Sequence, residues 1–303
     1  MKFKNVITPL SFEDFQDLIE KRPPYKLWQP TLSLTSLFGW AELNTILRQQ
    51  RTNVIDISIL RHSRRVPVED TAEKVDRKFR RINQLNSEKL AGVLRSGGTV
   101  RISRIDEKSD KLNLLATDIE NLFGCEVTMS LYAGFGSTHH ALPAHFDRHD
   151  VLVIQFEGNK TWEIFGFGSD SYPIKPSEEI LAECPSKPIW SGQLEKGNLL
   201  FIPRGSWHRA SVISNVPTLQ VSIAFHHIML YKLHDWLASK LSNYPINGKH
   251  LLYWNVGDDL LFENEIWKAL GEILKPGFID KYRRDSKLLL SRRFNMNLPD
   301  MGA

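Results

Sequence analysis

The 303-residue sequence predicts a mainly β core, a sandwich or barrel, flanked by helices. Three observations predict it. Short apolar runs of strand character crowd one stretch of the chain: EVTMSLYA, VLVIQFE, TWEIFGF, NLLFIP and TLQVSIAF. Turn signals punctuate them, notably Gly158-Asn159 and Gly197-Asn198. Segments whose apolar residues recur at helical spacing lie before and after.

In chain order, Ser11 can cap a helix whose Phe12, Phe15, Leu18 and Ile19 fall on one face. A second helix is expected from Leu37 to Arg48 and a third from Ser87 to the Gly97-Gly98 stop. Between them Arg61, Arg64, Arg65, Arg77, Lys78, Arg80 and Arg81 form the most basic stretch, read either as a solvated face or as a contact for an acidic partner. TVRISRI alternates as a strand, and Leu112, Leu115, Ile119 and Leu122 mark a helix stopped by Gly124. Ser169 to Ile189 is a long polar connection of the kind that serves as a lid or substrate wall. Beyond His227 the texture is helical again in IMLYKLHDWLASKL and FENEIWKALGEIL. The tail KYRRDSKLLLSRRF is basic and amphipathic, suited to docking on the body, joining subunits or meeting an anionic partner. The expected organisation is an N-terminal mixed region (1–98) packing on the barrel, a core (99–227), and a C-terminal helical segment (228–303) able to support a homodimer.

Composition bounds the class. Hydrophobic content of 42% and charged content of 24% suit a soluble globular protein. A net charge of +4 is too mild to argue for nucleic acid. Cys125 and Cys184 form no CxxC pattern and read as two free thiols. The N-terminus lacks a signal-peptide apolar run, and no stretch approaches the ~20 apolar residues of a membrane span. A cytoplasmic protein is expected.

The chemistry concentrates in ALPAHFDRHDVLVIQFEGNKTWEIF and LEKGNLLFIPRGSWHRA. His145 and Asp147 are two apart, so on extended backbone both project to one side and can supply two corners of a metal site. In the second stretch an apolar strand ends in a rigid Pro203–Gly205 bend that can hold His208. Two histidines and one carboxylate make a facial triad, which leaves positions open on Fe(II); the missing cysteine ligands argue against structural zinc. Lys160 follows the Gly158-Asn159 turn, opposite Glu157 in a simple hairpin. It reads either as half of an exposed ion pair or as an anchor for the distal carboxylate of a dicarboxylic co-substrate, and periodicity does not choose. His139, His140 and His149 read as loop or supporting residues, and His226 and His227 as strand-end packing. Trp162, Phe156, Trp190 and Trp207 are candidates to line a dry pocket.

HxD, a basic residue fifteen positions after its His, and the distal GN–FIPRGSWH together resemble the JmjC-type cupin Fe(II)/2-oxoglutarate-dependent oxygenases, nearest the ribosomal-protein hydroxylase (cupin-4) group. PAHFD is also similar to the asparaginyl hydroxylase that inhibits hypoxia-inducible factor. The resemblance runs from about Thr99 to His227, with a looser match in FEDFQDLIEKRPP. It implies a double-stranded β-helix of cupin or jelly-roll type. It implies Fe(II) on His145, Asp147 and His208, and 2-oxoglutarate at Lys160 as co-substrate. Relatives usually show Asn-x-Tyr on the strand before HxD; here Ser130-Leu131-Tyr132 stands there, so Tyr132 matches and Ser130 has a shorter reach. Ser222 is the candidate on the late strand, where relatives often place a polar residue beside the co-substrate. The implied activity is hydroxylation of a protein or peptide side chain, ribosomal proteins among the candidates, with release of succinate and CO2. Oxidation of a small molecule, demethylation of methyl-lysine, and a non-catalytic metal-binding cupin are the alternatives. The residues after His227 are too few for both the helical dimerisation segment and the winged-helix domain of larger relatives, so the latter is expected to be missing.

Overall fold

The glycine-bounded apolar runs become strands because each has a covered face to bury, and in the centre of the molecule two. The structure, a computed structural model, describes residues 1–34, 36–49, 56–77, 80–135, 142–168, 183–212, 216–227, 230–241, 267–268, 270–282 and 285. It divides into two units: residues 1–123 with 127–226, and residues 124–126 with 227–303.

The first unit is built on strands β1 (Lys26–Trp28), β2 (Ile57–Arg61), β3 (Arg64–Arg65), β4 (Ala72–Arg77), β5 (Arg80–Leu85), β6 (Thr99–Ser103), β7 (Glu126–Gly134), β8 (Asp150–Glu157), β9 (Lys160–Phe167), β10 (Trp190–Leu194), β11 (Leu199–Ile202), β12 (Ser206–Ser211) and β13 (Thr218–His226). Eight form one sheet in the order β1-β11-β8-β13-β7-β6-β2-β3. A three-stranded sheet, β10-β9-β12, and a β4–β5 hairpin complete the set. Three strands from the first 98 residues, β1, β2 and β3, thus belong to the main sheet.

Val151 and Val153 of β8, Leu200 and Ile202 of β11, Trp162 and Ile164 of β9 and Leu194 of β10 form one buried cluster joining the two sheets. The opposite side of the main sheet is covered by helices α1 (Phe3–Ile7), α2 (Phe12–Lys21) and α5 (Asp110–Phe123). There Phe3, Phe15 and Phe123 meet Phe201 and Phe225; the Phe15–Phe201 and Phe123–Phe225 centroids are each 5.5 Å apart. Each such edge-to-face pair adds about 0.5–1.5 kcal/mol beyond area burial. Coverage on both faces is why VLVIQFE reads as a continuous apolar run.

Ser11 and Asp14 close a reciprocal capping box on α2. The helices α3 (Trp40–Gln49) and α4 (Ser87–Arg95) follow, the latter capped by Asn86. In the second unit α6 (Leu230–Leu241) carries Trp236, which meets Tyr282 edge-on and donates to Asp285; Lys240 pairs with the same carboxylate at 2.8 Å. Among the described residues no helix is long and apolar enough to cross a membrane. Cys125 and Cys184 form no disulfide.

One expectation fails here. The Gly158-Asn159 turn does not close a hairpin: β8 lies in the eight-stranded sheet and β9 in the three-stranded one. Gly158, at φ +63, swings the chain between sheets where a Cβ would lie 2.5 Å from the Pro217 carbonyl oxygen. Glu157 therefore does not face Lys160; it pairs with Lys196 at 2.8 Å.

Candidate active site

β12 carries His208, and its register against β9 shifts at Trp207/His208. The backbone of His145 bridges to it: His145 N donates to His208 O at 3.1 Å and His208 N to His145 O at 2.8 Å. Asp147 is held by its own carbonyl, which accepts from Gly205 N at 2.8 Å. The Pro203–Ser206 bend is braced by Asp150, fully buried, whose carboxylate takes Arg204 N and Arg204 Nη1, each at 2.8 Å. Ser206 Oγ donates to Pro24 O at 2.9 Å. Backbone pairing, rather than the side chains alone, therefore fixes where the three groups meet.

Ligand atoms of His145, Asp147 and His208 lie within 4.8 Å of one another. The tautomers follow from the neighbours. His145 Nδ1 sits 2.9 Å from Pro143 O and His208 Nδ1 2.9 Å from Ser206 O. A carbonyl only accepts, so each Nδ1 carries the proton and each Nε2 keeps its lone pair. His208 Nε2 points at Asp147 Oδ2, 3.6 Å away. Burial lowers the pKa of His208, against an opposing pull from Asp147, so its ring stays neutral and able to ligate. A metal ion is held in this manner elsewhere: Nε2 inward, Nδ1 tied to a backbone oxygen.

The triad opens into a cavity of about 220 Å³ inside the first unit. Ser130, Tyr132, Lys160 and Ser222 all line it, as do Arg101, Thr128, His149, Trp162 and Gln220. Lys160 is 3% exposed, its ammonium 5.7 Å from the centroid of the Tyr132 ring. Burial pushes its pKa down to about 7, and no carboxylate among the described residues pairs with it. The exposed-pair reading of Lys160 is thereby overturned. Burial also raises the pKa of Tyr132, which keeps its hydroxyl a donor at neutral pH.

Of the aromatic candidates, Trp162 alone is a wall of this cavity. Phe156 packs near Phe38, Trp190 stacks on Tyr25, and Trp207 meets Phe146. His149 lines the cavity with its ring 4.6 Å from that of His226, which contacts Thr128 Oγ1 at 2.9 Å. His139, His140 and most of the Ser169–Ile189 connection lie outside the described residues. Arg101 and Gln220 are pocket residues the sequence reading passed over. The signal was present for Arg101, a charge flanked by buried Val100 and Ile102 in an alternating strand.

Residues 106–233 match the JmjC domain family. Over that stretch the chain resembles a JmjC domain. Its core is the double-stranded β-helix of cupin type. A "Bifunctional lysine-specific demethylase and histidyl-hydroxylase NO66" of Caenorhabditis elegans is 29% identical over 119 residues, 38% of this chain and 16% of that protein. The "Ribosomal oxygenase 2" of Rattus norvegicus is 24% identical over 221 residues, 71% of this chain and 44% of its own length. Among solved structures, that of the ribosomal oxygenase YcfD from Escherichia coli, in complex with cobalt and 2-oxoglutarate, superposes with a TM-score of 0.58 at 15% identity, covering 93% of this chain and 72% of that one. The chain thus spans less than half the length of these two curated relatives.

Proposed function

We propose that this chain is an Fe(II)- and 2-oxoglutarate-dependent oxygenase that hydroxylates a side chain of a protein or peptide. One observation carries the reading: a preset His-Asp-His cluster and a buried lysine with no carboxylate partner among the described residues share one cavity. His145 and His208 would hold Fe(II) through Nε2, and Asp147 through a carboxylate oxygen. The donor set is nitrogen and oxygen without sulfur, which suits Fe(II), and its geometry leaves coordination positions open. Lys160 would meet the distal carboxylate of 2-oxoglutarate, with Tyr132, Ser130 and Ser222 as hydrogen-bonding neighbours. A carboxylate there answers the uncompensated ammonium.

When bound, Fe(II) and 2-oxoglutarate supply the oxidant: one atom of dioxygen goes into a substrate C–H, the other into succinate, and CO2 leaves. The chain's own residues bind, orient and exclude water. Trp162 and Val151 wall the cavity, Lys160 fixes the far end of the co-substrate, and the backbone clasp at His145 and His208 keeps the ligands in place.

The names of the relatives, histidyl-hydroxylase, lysine-specific demethylase and ribosomal oxygenase, favour a protein substrate, ribosomal proteins among the candidates, over a free metabolite. In this reading the core lies at 99–227, the 228–303 segment supports a homodimer, and the enzyme works in the cytoplasm. The test measures succinate formation with Fe(II), 2-oxoglutarate and ribosomal fractions or peptides, followed by mass spectrometry for one added oxygen. Stimulation by a peptide supports the proposal. Stimulation by a free amino acid alone would move the protein to small-molecule oxidation, and loss of a methyl group from lysine to demethylation.

A further inference from the structure

The cavity holds a second cation that the proposed function does not use. Arg101 sits on β6 directly opposite Tyr132 of β7, so both side chains share the face that lines the cavity. Its guanidinium carbon is 5.8 Å from the centroid of the ring that Lys160 approaches at 5.7 Å. The guanidinium also bonds the Tyr132 side chain, yet its Nε is buried without a partner among the described residues. Among the described residues Asp147 is the one carboxylate lining this cavity, and it stands with the histidines. Two cations thus converge on one phenol with no anion of the described residues between them, an arrangement that is costly unless an anion arrives.

We infer that Arg101 is a second anion-binding residue of the pocket, which with Lys160 grips the distal carboxylate of the co-substrate. The inference rests on the proposed function, since it names what else holds the co-substrate at that site. A lone buried amine loses its charge as the pH rises past 7, whereas a guanidinium stays charged throughout. Arg101 therefore keeps the pocket cationic in the range where Lys160 titrates. Gln220, 3% exposed and also in the cavity wall, has a buried Oε1 without a partner. With its amide turned over it would offer an N–H to the same carboxylate.

The test is calorimetric titration of the metal-free protein with succinate, a dicarboxylate that needs no metal chelation, and with succinamide, its uncharged counterpart of the same length. Wild-type protein should prefer succinate by about tenfold or more. Arg101→Gln should weaken succinate by about tenfold and change succinamide by less than about twofold. Lys160→Met gives an independent reading that does not depend on the Arg101 variant folding: it should still favour succinate, because Arg101 remains. Unchanged succinate affinity in Arg101→Gln, or no preference left in Lys160→Met, would reduce Arg101 to a prop for Tyr132. A parallel titration with 2-oxoglutarate and Mn(II) separates the two levels. If wild-type protein binds neither 2-oxoglutarate nor succinate, the proposed function falls and Arg101's role with it; if 2-oxoglutarate binds and Arg101→Gln leaves succinate unmoved, only the role of Arg101 falls.

Discussion

Replacing Lys160 with methionine should make the empty protein more stable, the opposite of what most substitutions in a core do. Lys160 is 3% exposed, and burial brings its pKa from the usual lysine range to about 7. Three to four pKa units at about 1.4 kcal/mol each put the cost at neutral pH near 4 kcal/mol as an upper figure. Methionine has a similar reach and no charge, so Lys160→Met should recover about 1–4 kcal/mol. For a unit of this size that is a rise in Tm of roughly 5 °C. The pH dependence has a defined sign. The folded-state pKa lies below the unfolded one, so between about pH 7 and 10.5 the unfolded chain binds more protons and wild-type stability climbs with pH. The methionine variant should lose that climb. Thermal melts at several pH values, with and without 2-oxoglutarate plus Mn(II), measure both effects. With ligand the order should reverse, because wild-type protein gains the charge pair at Lys160 that the variant lacks. A variant that melts below wild type without ligand, together with a flat wild-type pH profile, would refute the reasoning and mean that the protein itself satisfies the ammonium.

Further outcomes are expected elsewhere. Alanine at His145, Asp147 or His208 should lower Mn(II) or Fe(II) affinity by at least about 100-fold in calorimetry while circular dichroism is unchanged, since the barrel core does not need these groups. Gly158→Ala should cost about 1–3 kcal/mol in denaturant melts and weaken 2-oxoglutarate binding, because the added Cβ collides with the Pro217 carbonyl two residues before Lys160. Asp150→Asn should cost about 2–4 kcal/mol by stranding the Arg204 guanidinium, and should loosen metal binding through the Pro203–Ser206 bend. Charge reversal at Arg77, Arg80 and Arg81 should raise KM for a protein substrate while uncoupled 2-oxoglutarate decarboxylation stays constant, as steady-state assays of succinate would show.

Some of this was legible in the residue order and some was not. Strands buried on both faces, such as β8 and β13, announce themselves as unbroken apolar runs. Helix starts were marked by Ser11 and Asn86, whose side chains cap locally. By contrast β12, SWHRAS, has no clean alternation; it is a strand because β9 and His145 pair with it, a fact set by distant chain. β10, WSGQL, is hidden by its glycine and its exposed alternate positions. Lys160 shows the limit most clearly. A Gly-Asn turn looks the same whether it joins neighbours in one sheet or carries the chain to another, and only sheet membership decides whether the next residue is wet or buried. Arg101 was missed because its partner, Tyr132, lies across a strand boundary and a helix.

The ends of the connection between β9 and β10 bear on how such a site could diversify. Ile164 pairs with Trp190, and Ile189 N donates to Ile164 O at 2.8 Å, so the chain leaves and re-enters the three-stranded sheet at adjacent positions. The entropic cost of closing such an excursion grows only logarithmically with its length, by about 0.6 kcal/mol per doubling. Its ends are pinned on strands, while His145, Asp147 and His208 stand on β12 and the segment before β8. Segments of quite different length and sequence can therefore be exchanged there without retuning the ligands, and the scaffold can try new substrates while its chemistry stays fixed.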